Sequence, residues 1–449
     1  MSVHSEIDRI RENIAQAYSA VGDRGGTLPE QRNSGNLAEA IRSITGGKTG
    51  TEAPAPEEVY RTARPASWLT IPEPEDDEMY LLVHITDGLS TLLAFTVTCS
   101  GSYTVELGTI SDGGVFSALS STAAASGEVY ETELFASAYD GLTDSGMKQA
   151  VVRITGTDIL TWEPSAHSGK TAPLNFSGWN IVEIKCRLPK GTAVLCGNGT
   201  KNRELRGLRF FTWDGPGRAA SMSGMFNNCS ALTAVLKLDT SGVTDMSNLF
   251  NGCASLTAIP ELNTANVTNM NSMFKGCASL AAIPLLDTAK VTDLGYLFSG
   301  CAHLLSVPPL DTSKAANMTN MFYGCSAIAA VPPLDCTEAT AMGNIFSGCY
   351  ALTDIPVLKV AKAASVGSMF YNCLSLGEIR FDPAVTGWTG GAISLQNCSM
   401  GHEALVRLLN SLPEVTTARI LTLTGNPGAE ELTESEKAVA NRKNWTVKV

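Results

Sequence analysis

Charge is scarce in this sequence. Of 449 residues only 17% are Asp, Glu, Lys or Arg, while 44% are apolar. Such a chain can bury enough apolar surface to fold over most of its length, which excludes general disorder. The balance is acidic, with a net charge of −12, so the basic footprint that nucleic acid requires is missing and no nucleic-acid partner is expected. Long hydrophobic runs are absent too. None approaches the roughly 20 residues that cross a bilayer, so no membrane insertion is expected. The opening Met1–Glu6 lacks the apolar core of a secretory signal, and synthesis in a bacterial cytoplasm is the expectation. Histidine is scarcer still: His4, His84, His167, His303 and His402 lie in different segments without metal-ligand spacing. There is no Gly-x-Ser-x-Gly turn, no zinc-type CxxC pair, and no cysteine set apart with an evident base. Gly197-Asn-Gly199 begins like a phosphate-binding turn, but Asn202 stands where the third glycine belongs. A non-enzymatic chain without cofactor or metal is expected.

Cysteine is plentiful, and its spacing decides the fold. Seven of twelve cysteines fall at Cys229, Cys253, Cys277, Cys301, Cys325, Cys349 and Cys373, a step of 24. Phe226, Phe250, Phe274, Phe298, Phe322, Phe346 and Phe370 keep the same step three residues earlier. Leu232 to Leu376, Val235 to Ile379, Leu238 to Leu358 and Met246 to Val366 form further ladders in register. A fixed period in the twenties is the mark of a solenoid, whose coils bury their apolar faces against one another.

Within a coil, Leu256-Thr-Ala-Ile259-Pro-Glu-Leu262 predicts a short strand, and Val267–Phe274 has the spacing of one or two helical turns. Stacked strands would form a parallel sheet about 4.8 Å apart. The cysteines would then line the core as small buried hydrophobes, aligned side by side in a way that suits a disulfide badly. Asp239, Asn263, Asp287, Asp311 and Asp335 make a further ladder. Calcium would accept stacked carboxylates, but one ligand per coil favours Asx turns.

The unit Asn266-Val-Thr-Asn-Met-Asn-Ser-Met-Phe-Lys-Gly-Cys-Ala-Ser-Leu-Ala-Ala-Ile-Pro resembles the BspA-like leucine-rich repeats of bacterial surface proteins and prophage tail proteins, over about residues 221–380. That resemblance implies a binding solenoid. Departures are Leu236, where later coils carry Pro260, Pro284, Pro308, Pro332 and Pro356, and Ala315, Ala339 and Ala363 in place of Val243, Val267 and Val291.

Upstream, Ile7, Ile10, Ile14, Ala17 and Val21 trace a heptad seam. Isoleucine at both seam positions favours three or more strands, hence a homotrimer, against an ordinary amphipathic helix. With Gly26-Thr-Leu-Pro29 and Asn33–Ile41, this stretch is similar to the helical lead-in of phage and prophage tail-fibre and receptor-binding proteins of Gram-positive hosts. Alternating strands at Met79–Ile85, Thr91–Thr98, Tyr103–Leu107 and Gln149–Thr155 predict a β-sandwich. Arg64–Leu69 and Gly101–Gly108 resemble polycystic-kidney-type sandwich segments, although Glu106-Leu-Gly-Thr replaces that family's Trp-Gly-Asp-Gly. Helices at Glu403–Leu412 and Glu434–Arg442 and strands at Arg419–Thr424 and Trp445–Val449 predict an α/β cap. Leu421–Gly428 and Asn444–Val447 are similar to the ends of prophage tail proteins.

The chain therefore reads as multidomain: helices over 1–45, a linker over 46–66, a sandwich over 67–200, the solenoid over 201–399 and the cap over 400–449. The resemblances imply a tail component of a virion that binds a bacterial surface receptor, glycan or protein, beside other tail or baseplate proteins. A bacterial adhesin or a purely structural tail subunit are the alternatives. Aromatic residues at positions that vary between coils, Tyr296, Tyr323, Tyr350 and Tyr371, with His303, are the candidate ligand-binding residues, because tyrosine offers large amphipathic area at low entropy cost.

Overall fold

The computed structural model describes residues 55–449 apart from 87–89, 112–113, 141, 166–179, 190, 192, 195, 197–204, 215–218, 359, 361, 363–365 and 383–389. The helical segment 1–45 with its seam Ile7, Ile10, Ile14, Ala17 and Val21, the Gly197-Asn-Gly199 turn, and Ala363 lie outside the described residues.

Residues 55–66 were expected as linker, and they carry a helix instead. In α1 (Pro56–Ala63), proline opens the first turn and Glu57 and Glu58 sit at its N-terminal end, where the helix dipole favours negative charge. Val59, Tyr60 and Ala63 then share one face and pack on a sheet. That sheet and its partner form the sandwich. The strands are β1 (Glu78–Thr86), β2 (Ser90–Thr98), β3 (Ser102–Ile110), β4 (Phe116–Ala125), β5 (Val129–Phe135), β6 (Met147–Thr155), β7 (Thr161–Pro164), β8 (Ile181–Arg187), β9 (Ala193–Val194), β10 (Phe210–Asp214) and β11 (Ala234–Lys237). One sheet has the order β11-β10-β8-β1-β6-β3-β4 and the other β5-β2-β7-β9.

Strict alternation in β1 explains the layering. Met79, Leu81, Val83 and Ile85 enter the core between the sheets. Tyr80 and Leu82 point the other way, under α1 and the Trp68–Ile71 segment. This outer layer is pinned by Arg64, whose Nε lies 2.8 Å from the buried Glu183 carboxylate, to which the Tyr60 hydroxyl also donates. Trp68 packs edge-on against His84, which bonds Gln149.

The solenoid is joined to this sheet. β10 pairs in parallel with β8 on one side and with β11, in the first coil, on the other. Beyond β11 the expected parallel strands do not continue. Ala234 bridges Ala258 and Ala330 bridges Asp354 as isolated pairs. Proline is the reason: Pro260, Pro284, Pro308, Pro332 and Pro356 carry no N–H for a ladder, whereas the first coil has Leu236 and forms a strand. The coils are instead bridged at Asp245, Asn269, Asp293 and Asn317.

The expected helical turns at Val267–Phe274 are also replaced, by consecutive turns. Met273 N–H bonds Met270 O and Cys277 N–H bonds Phe274 O. Left-handed residues interrupt any helix at Asn248, Ser272, Tyr296, Asn320 and Asn344, and again at Gly252, Gly276, Gly300, Gly324 and Gly348. Two such reversals per coil turn the chain around the core, and each delivers the next coil in register.

Inside, the phenylalanine rings stack at 5.3 to 5.9 Å. The cap packs on the same core: β12 (Ile393–Ser394), β13 (Arg419–Thr422) and β14 (Trp445–Lys448) form a parallel sheet, with α2 (His402–Ser411) and α3 (Glu434–Asn441) beside it. Thr433 caps α3 through a reciprocal bond with Glu436, and Trp445 closes the core.

Candidate binding surface of the solenoid

The turn between the two left-handed positions presents an outward side chain in some coils, at Lys275, Tyr323 and Tyr371, and a buried serine in others, at Ser299 and Ser347. In the coil of Phe322, Asn320 reverses the chain, Phe322 enters the core, Tyr323 points out, and Gly324 reverses it again before buried Cys325. The backbone here is fixed by the neighbouring coils. Gly300 N–H donates to Tyr323 O at 2.7 Å, and Gly348 N–H to Tyr371 O at 2.8 Å. A side chain on this tract therefore stands on a rigid frame, and binding need not order the backbone beneath it.

The structure separates the five candidates into two groups. Tyr323 and Tyr371 are exposed in one column, two coils apart, with buried Ser347 between them. Tyr350, 49% exposed, lies beyond the second reversal of its coil, directly after Cys349. Tyr296 and His303 are otherwise engaged. Tyr296 occupies a left-handed position, with Lys275 Nζ 4.8 Å from its ring centroid, a cation–π contact. His303 Nδ1 donates to Ala278 O at 2.7 Å, tying its ring to the preceding coil.

Leu374 was missed by sequence reasoning. It is 51% exposed and stacks one coil beyond Tyr350, in a column that otherwise holds Ser230, Ala254, Ala278, Ala302 and Ser326. A large apolar residue breaking a column of small ones was the available signal. Tyr323, Tyr350, Tyr371 and Leu374 thus form an amphipathic strip over the later coils.

The aspartate ladder resolves into turns. Ser241, Ala265, Ala289, Ser313 and Thr337 N–H groups donate to the Oδ1 atoms of Asp239, Asn263, Asp287, Asp311 and Asp335. A second Asx ladder, Asp245, Asn269, Asp293 and Asn317, does the same two residues on. Among the described residues no group of three or more His, Cys, Asp or Glu side chains is arranged to hold a metal.

The thiols are buried donors. Each of Cys253, Cys277, Cys301, Cys325, Cys349 and Cys373 donates through Sγ to the carbonyl of the phenylalanine 27 residues earlier, at 3.1 to 3.2 Å. Burial pushes the Cys301 and Cys349 thiols up to about 12, so they stay protonated and keep the bond. All twelve cysteines are free and buried.

Residues 220–332 and 306–384 match a family model described as Mycoplasma protein of unknown function, DUF285. No curated protein matches the chain. The matched residues lie within the repeats, outside the sandwich strands β1–β10 and the cap, and take in Tyr296, His303, Tyr323, Tyr350, Tyr371 and Leu374.

Proposed function

We propose that the chain is a non-enzymatic binding protein of a phage or prophage tail, which attaches to a glycan or protein on a bacterial surface through its solenoid. The observation that carries this reading is the strip of exposed Tyr323, Tyr350, Tyr371 and Leu374 on a backbone held coil to coil. Rigid aromatic area of this kind suits sugar rings and protein epitopes. In this reading the protein works in the virion, beside tail or baseplate proteins, as a homotrimer. The match to a family described from Mycoplasma favours a second reading, a bacterial adhesin that uses the same strip.

The test is binding of labelled full-length protein to Gram-positive cells and to their isolated wall polysaccharides. Tyr323→Ala with Tyr371→Ala is expected to lower binding at least about tenfold, or roughly 1.4 kcal/mol, with the thermal transition unchanged. Undiminished binding by that folded variant would overturn the site. Neighbouring genes for tail-measure, baseplate or lysis proteins favour the tail reading, and a surface-anchoring operon the adhesin.

A further inference from the structure

The layer that covers the seven-stranded sheet ends partway along a face that continues. Tyr60 and Ala63 of α1, with Trp68 and Ile71, pack over Phe210, Ala234 and Ala258. Ala234 and Ala258 are the first members of a column that runs on through Ala282, Ser306, Ala330 and Asp354, and Ala330 and Asp354 are exposed. Beside it Leu285 is 69% exposed and Leu305 46%. Leu285 begins a column of outward apolar residues, Pro309, Pro333 and Val357, all exposed. Isolated exposed leucines are ordinary on a surface, but a continuous apolar column marks an interaction site.

Alternation defines the edge of this face. Leu285 points out, Leu286 in and Asp287 out, and the pattern repeats at Pro309, Leu310 and Asp311 and at Pro333, Leu334 and Asp335. Each carboxylate is held by the N–H two residues on, so the apolar column carries a fixed acidic border. At its far end a pocket of about 270 Å³ is lined by Asp354, Ile355, Pro356, Val357, Glu378 and Arg380.

We propose that the face from Leu285 to Val357 docks a partner polypeptide whose apolar side is bordered by lysine or arginine, continuing over the later coils the layer that α1 begins over the first two. The α1 layer covers the start of the face with Tyr60 and Trp68, and places Arg64 at their side, there bonded to Glu183 of β8. Charge selects against the other occupants. A second copy would bring its own acidic border against this one, in a chain of net charge −12, and an anionic lipid surface would be repelled likewise.

The experiment uses the full chain and two fluorescent helical peptides of one amphipathic pattern, one built of Leu and Lys and one of Leu and Glu. The Leu/Lys peptide is expected to bind at least about tenfold more tightly, and less so at high salt. Leu285→Lys with Val357→Lys is expected to lower that affinity at least about tenfold, with an unchanged thermal transition. Asp287→Asn, Asp311→Asn and Asp335→Asn together keep the turn acceptor, as Asn263 does naturally, and are expected to remove most of the salt dependence. Tyr323→Ala with Tyr371→Ala leaves this binding unchanged, which separates it from the receptor site. Equal binding of both peptides, undiminished binding by the folded lysine variant, or a wild-type dimer that the lysine variant dissociates would each overturn the proposal.

Discussion

The core cysteine is more than a small apolar filler, because its proton has a place to go. In each coil the phenylalanine carbonyl already accepts the N–H of the cysteine three residues on, and the thiol of the next coil takes its second lone pair. Removing the Cys301 thiol as Cys301→Ala leaves a one-atom void and an acceptor short of a donor, an expected loss of about 1–2 kcal/mol in chemical denaturation. With burial holding Cys301 near 12, the native protein is expected to give no fast reaction with a thiol-directed dye at neutral pH. Full labelling should appear only with denaturant. His84 supplies a pH dependence. Burial, then the nearby Arg209 charge, lowers it from 6.5 to about 4. Above pH 6.5 the ring is neutral in both states and costs nothing. As pH falls from 6.5 through 4, the unfolded chain takes up the proton first, so stability drops by roughly 3 kcal/mol across that window. A His84→Gln variant should lose this part of the acid limb in thermal melts from pH 7 to pH 4.

At the scale of the element, the coil shows where sequence reading succeeds and where it stops. The ladders at Phe298, Cys301, Leu304 and Val307 are legible because burial alone sets them, and the strands β1, β2, β3 and β6 because alternation does. The backbone path of the coil was not legible in the same way. The spacing of Val267, Met270, Met273 and Phe274 fits a helix, but the chain reverses at Ser272 and Gly276, and positive φ leaves no trace in a hydrophobic pattern. The glycine step, Gly252 to Gly348, was the available sign. It predicts a graded response. In Gly300→Ala a Cβ would meet Gly276 Cα at 3.6 Å, ordinary contact, so only the left-handed backbone is penalised, by about 1–2 kcal/mol. In Gly252→Ala it would also meet Asn228 Oδ1 at 2.5 Å, so the second variant should melt lower than the first. Of the candidate site, Tyr323, Tyr350 and Tyr371 could be read from column variation, while the engagement of Tyr296 by Lys275 and of His303 by Ala278 depends on rotamers that no spacing encodes.

For the whole molecule, the sandwich, the repeats and the cap share one hydrophobic core that runs from Met79 to Trp445. Repeat arrays lose cooperativity when their ends fray, but here one end is continued by β10 and β8 and the other is closed by α2 and β14. Unfolding of the described part is therefore expected as one calorimetric transition, and two resolved transitions would show that β10 and β11 do not couple the sandwich to the solenoid. Oligomeric state is a separate question, carried by Ile7, Ile10, Ile14, Ala17 and Val21 outside the described residues. Light scattering on the full chain beside a version lacking residues 1–45 decides it. A trimer that becomes a monomer on truncation supports three solenoids displayed together, and three weak strips on one particle then bind with far greater avidity than one. A monomer in both cases removes the heptad argument, leaves a single repeat module, and brings the adhesin reading level with the tail reading.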